Sequence, residues 1–85
     1  MKAVIETDDY LIETSGDLVF HVTEKWNKFR SDGPLSVMWR GGEWLAFWRM
    51  DGTQHGGRVK IEPIEVDQLL RQAVAIETGK VALDE

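Results

Sequence analysis

Two histidines, three serines and a scatter of carboxylates are the side chains with which this chain could do acid–base, nucleophilic or metal chemistry. His21 lies in an apolar-rich run and His55 in the turn-like Gln54-His55-Gly56-Gly57, and they are too far apart to share one helix face as zinc ligands do in H-x-x-x-H. His21 reads as a partly buried strand residue and His55 as a turn residue, so no metal is expected. Ser15, Ser31 and Ser36 lack nucleophile-elbow surroundings, and Ser15 and Ser31 adjoin Gly16 and Asp32-Gly33, where local hydrogen bonding accounts for them. The acid pairs Asp8/Asp9 and Glu62/Glu65 read as solvated surface groups rather than a general acid and base. Gly41-Gly42 and Gly56-Gly57 are not set in a phosphate-loop pattern, and no cofactor is implied. With no cysteine there is no thiol nucleophile, disulfide framework or thiolate metal site. A non-enzyme is expected.

The remaining constellation is aromatic and cationic. Trp39, Arg40, Trp44, Trp48 and Arg49 interleave, and Met38, Leu45 and Phe47 lie among them. Rings that stack bases beside cations that meet phosphates would suit a single-stranded nucleic acid. The same residue types, Trp, Met and Arg above all, are enriched in protein interfaces.

Strand geometry discriminates between the two. Gly41-Gly42 between apolar-rich runs suits a two-residue hairpin turn with positive φ. Arg40 then opposes Glu43, Trp39 opposes Trp44, Met38 opposes Leu45 and Val37 opposes Ala46, continuing to Leu35 opposite Trp48. Alternation puts Leu35, Val37, Trp39, Trp44, Ala46 and Trp48 on one face and Met38, Leu45 and Phe47 on the other, with Arg40 and Glu43 at the rim. The arginines thus lie opposite the indoles, which favours core or interface Trp over a base-stacking platform.

A second hairpin is expected around Ser15-Gly16, opposing Ile12 to Val19, Leu11 to Phe20 and Tyr10 to His21. Strict alternation over Arg58–Glu62 reads as a half-buried strand ended by Pro63. Val66–Thr78 has one apolar stripe at helical spacing, with Gly79 placed as a C′ residue. Residues 24–30 fit either a short helix, with Trp26 and Phe29 three apart, or a loop, and residues 80–85 are expected to fray.

These elements define an α+β fold: a mostly antiparallel meander of five or six short strands, at about 2–6, 9–14, 17–23, 35–40, 43–50 and 58–62, with one C-terminal helix packed on one face. Eighty-five residues support one domain, 1–85, and one core, for which four Trp and three Phe supply large buried area. No signal peptide or membrane span is expected, because the first apolar run is short and nothing approaches about 18 apolar residues. A cytoplasmic location follows.

The net charge of −5 is unevenly distributed. Residues 1–24 hold Lys2 against six acids, residues 25–60 hold seven cations against Asp32, Glu43 and Asp51, and residues 61–85 hold Arg71 and Lys80 against six acids. The expected function is a small non-enzymatic interaction module, of inhibitor or adaptor type, that binds another protein or a second copy. Binding would run through a Trp-rich sheet face or acidic edges, with Met38, Arg40, Trp44, Leu45, Phe47, Trp48 and Arg49 as candidate contacts. The alternative is a nucleic-acid-binding module using the basic, Trp/Arg-rich segment 25–60.

Overall fold

A computed structural model of the protein describes residues 1–26, 35–47 and 56–79. Five strands, β1 (Lys2–Glu6), β2 (Tyr10–Gly16), β3 (Val19–Glu24), β4 (Leu35–Arg40) and β5 (Glu43–Ala46), form one antiparallel sheet in sequence order, followed by one helix, α1 (Ile64–Glu77). This is the expected α+β meander. Gly41 and Gly42 turn the chain with φ of 65° and 80°, which residues with a Cβ adopt at a cost. The pairing that follows, Val37 with Ala46 through Arg40 with Glu43, is the one the glycine pair predicts. The proposed Leu35–Trp48 partnership lies outside the described residues.

The other hairpin departs from expectation. Its turn is Asp17-Leu18, both at positive φ, and not Ser15-Gly16. Glu13 therefore opposes His21, Ile12 opposes Val22 and Thr14 opposes Phe20, with a bulge before Gly16. The cause is burial. This register puts Ile12, Phe20 and Val22 together under the helix, whereas the Ser-Gly turn would have divided Ile12 from Phe20. Left-handed backbone costs a Leu roughly 1–2 kcal/mol. Leu18 offsets it by packing against the core, and the Thr14 hydroxyl braces the bend through Val19 O (2.8 Å) and Gly16 N (3.1 Å).

The expected strand at 58–62 forms only at its start. Ala46 accepts from Gly56 N and donates to Gly57 O, and Val59 N donates to Trp44 O, with Arg58 bridging Leu45. The chain then leaves the sheet, burying Ile61, and reaches Pro63 and α1. The helix starts two residues earlier than its apolar stripe implies, with Val66 N bonded to Pro63 O, and ends at Thr78 with Gly79 at φ 78°. Val66, Leu70 and Ala73, at i, i+4 and i+7, are its buried stripe and meet Ile12, Phe20, Val22, Val37, Trp44 and Ile61. Of the segment 24–30, Glu24 closes β3 and Lys25-Trp26 turn; the rest, like residues 80–85, lies outside the described residues.

Leu70 is fully enclosed by this cluster. Leu70→Ala is expected to lower unfolding free energy by about 2–5 kcal/mol in urea titrations, with the slope unchanged.

Candidate functional site: an acidic end with an exposed tryptophan

The helix decides which aromatic rings remain available. Trp44 is buried, its ring 4.6 Å from that of Trp39 and edge-on to Phe20 at 6.1 Å, and its indole N–H donates to Asp67 Oδ1 at 3.1 Å. Asp67 also accepts from Arg71 at 2.9 Å, and the Arg71 guanidinium lies 5.2 Å from the Trp39 ring centre. Trp44, a candidate contact residue, is therefore committed to the core. Met38, Leu45, Phe47 and Arg40 lie across the sheet from it, as alternation requires. Met38 is only 5% exposed, beside buried Val19, Leu45 and Phe47 are half-buried, and Arg40 is exposed. The structure thus brings these four to one face without a bare apolar patch among them. Trp48 and Arg49 lie outside the described residues.

Sequence reasoning did not single out Trp26 as a contact, yet its side chain is 72% exposed, the largest exposure of any ring among the described residues. It is also held. Its indole N–H donates to Asp8 O at 2.9 Å, while Lys25 N donates to Asp9 O and Lys25 Nζ pairs with Glu6 at 2.6 Å. The β1–β2 turn that supplies these partners is itself closed by Thr7, whose hydroxyl accepts from Asp9 N and Tyr10 N. A ring with its polar edge tied to the backbone keeps its π-face outward at little entropic cost.

Carboxylates gather at this end of the molecule. Glu6 ends β1, Asp8 and Asp9 come from the turn, Glu24 ends β3, Glu62 precedes α1 and Glu65 lies in its first turn. Tyr10 marks their convergence: its phenol is pushed above its ordinary value by burial first, then by Glu65, Glu24 and Asp9. Lys25 and Lys60 are the described cations here, and each is paired, with Glu6 and Glu62. A cavity of about 190 Å³ opens between the sheet and the helix start, walled by Val22, Leu35, Pro63 and Val66 and rimmed by Tyr10, Glu24, Glu62 and the Glu62-paired Lys60. Ile64, 71% exposed, is the next residue after Pro63. A negative field over an apolar floor can hold a cation that carries a hydrocarbon stem, and an exposed, anchored indole can take a cation on its face.

The sheet face away from α1 has its own polar row. His21 Nδ1 lies 2.8 Å from Ser36 Oγ, and His21 Nε2 lies 3.3 Å from Ser15 Oγ, with Glu13 the cross-strand partner of His21. The Ser-Gly register had set His21 beside Tyr10 and hid this row. The shift of pairing revealed by the Asp17-Leu18 turn creates it.

No family model matches the chain, and comparison with curated proteins and with solved structures finds no match. Among the described residues no three His, Cys, Asp or Glu side chains are grouped to hold a metal ion, and no helix is long and apolar enough to cross a membrane.

The His21 imidazole titrates below its ordinary value because burial penalises its charged form; the N-terminal ammonium acts in the same direction and Glu13 opposes it. Since the unfolded chain then binds the proton more tightly, this group makes stability rise with pH between its folded pKa and the ordinary histidine value of 6.5. His21→Gln is expected to flatten the pH dependence of unfolding free energy in that interval. An unchanged slope would show that His21 is not desolvated.

Proposed function

We propose that this domain is a protein-interaction module that docks a basic partner through its acidic end, with Trp26 as the anchor. The observation that supports this most is the pinned, exposed indole, tied to the backbone of the turn that carries Asp8 and Asp9, beside the carboxylates of Asp9, Glu24 and Glu65 that converge on Tyr10. Buried Trp anchors ringed by polar groups dominate many interfaces, and a concentrated negative field speeds encounter with a cationic surface. A role of inhibitor or adaptor type fits, in which the acidic end covers a basic surface that another ligand would use. The nucleic-acid alternative draws less support, because Trp39 and Trp44 pack under α1 and the exposed Trp26 is tied to the turn that carries Asp8 and Asp9, acids that repel phosphate.

The test uses an Arg/Lys-rich peptide as a generic basic probe, titrated into the folded protein while backbone amide resonances are followed. Shifts are expected to concentrate in residues 6–10, 24–26 and 62–66 and to weaken as salt rises. Trp26→Ala is expected to weaken binding by about tenfold or more, or at least about 1.4 kcal/mol, with the fold unchanged. Undisturbed resonances at low salt, or full affinity in Trp26→Ala, would count against the proposal.

A further inference from the structure

On the face away from α1, and independently of the acidic end, we propose that Ser15 is a nucleophile activated by His21 and reactive toward esters with a short apolar acyl group. The side chains stand in the order this chemistry needs. Ser15 Oγ is exposed on β2 and 3.3 Å from His21 Nε2, and His21 Nδ1 is 2.8 Å from Ser36 Oγ on β4. With Nδ1 protonated and donating to Ser36, Nε2 carries the lone pair that accepts the Ser15 proton. Burial keeps the imidazole neutral near pH 7, and Glu13, its cross-strand neighbour, favours the imidazolium that forms on proton transfer. Beside Ser15 is a cavity of about 310 Å³ lined also by Asp17, Arg40 and half-buried Phe47, in which Phe47 offers the acyl group an apolar contact over buried Val19 and Met38 and Arg40 brings a cation toward the developing oxyanion.

The step balances without any added redox partner. Ser15 Oγ bonds to the ester carbonyl carbon as its proton passes to His21 Nε2. Collapse of the tetrahedral adduct breaks the bond to the alcohol oxygen, which leaves with the proton from His21. Water then attacks the acyl-Ser15 ester, giving a proton to His21, and Ser15 regains a proton as the acid departs. Ser36 acts only through His21 and is a positioning residue.

The test is covalent labelling by an alkyl fluorophosphonate, in which Ser15 Oγ bonds to phosphorus and fluoride leaves, with the adduct mapped by peptide mass spectrometry. Folded protein is expected to label at Ser15 about 100-fold or more faster than the urea-unfolded chain. His21→Gln, shown to be folded by circular dichroism, is expected to lose that excess. Ser36→Ala should slow labelling while Ser36→Thr restores it, a rescue that a packing role alone would not give. A Ser15 rate equal to that of the unfolded chain, or unaltered in folded His21→Gln, would overturn the proposal. If His21→Gln does not fold, the native-to-unfolded comparison decides alone.

Discussion

The hydrogen bond from the Trp44 indole to Asp67 is the contact on which the arrangement of the molecule depends. Trp44 stands on β5, at the edge of the sheet away from β1, and Asp67 in the first turn of α1, so one bond ties the helix start to the strand farthest across the sheet from β1. An indole brings large apolar area but also an N–H, and burying that N–H without an acceptor costs about 1–3 kcal/mol. Asp67 removes the penalty. Arg71, drawn to Asp67 and lying over Trp39, extends the contact by one helical turn and covers a second ring. The helix start is thereby fixed beside the ends of β2 and β3, which is how Glu62 and Glu65 come to stand near Tyr10 and Glu24.

This arrangement determines what surface remains to be used. One edge of the sheet is occupied, because the backbone of 56–59 pairs with β5. The other, β1, is interrupted by a bulge between Ala3 and Ile5 and carries charges at both ends, Lys2 paired with Glu77 and Glu6 paired with Lys25. Bulges and charges at an edge discourage strand addition. Exposed ion pairs such as these contribute about 0–1 kcal/mol each, so they shape the surface more than they hold the fold. Trp39 and Trp44 are absorbed beneath α1, and the apolar centre of the opposite face is already buried at Val19 and Met38. Among the described residues, Trp26 and Ile64 are the large apolar side chains left exposed apart from Met1.

The fold was legible where a local signal and the burial pattern agreed. Gly41-Gly42 prescribed both a turn and a register, and the stripe Val66, Leu70, Ala73 prescribed a helix, because each signal is complete within a dozen residues. At Ser15-Gly16 the two disagreed. Turn propensity favoured a register that the three-dimensional grouping of Ile12, Phe20 and Val22 overrode, and Leu18 accepted positive φ as a consequence. The polar row through His21 depends on the pairing of β3 with β4 as well, a long-range register that no turn signal reports. The acidic end was visible only as charge. Alternation correctly separated Trp44 from Met38 and Leu45, but which face the helix would cover is not written in either strand, and the placement of Trp26 depends on a carbonyl in a distant turn.

The most direct test of the clasp is a double-mutant cycle on Trp44→Phe and Asp67→Ala, with unfolding free energies measured in urea for the protein, both single variants and the pair. Trp44→Phe keeps a large ring and removes the N–H, while Asp67→Ala removes its acceptor. If the bond fixes α1 to β5, the two losses are non-additive, with a coupling energy of about 0.5–3 kcal/mol. Simple additivity would mean that the indole N–H does not rely on Asp67, and the allocation of rings between core and surface would need another cause.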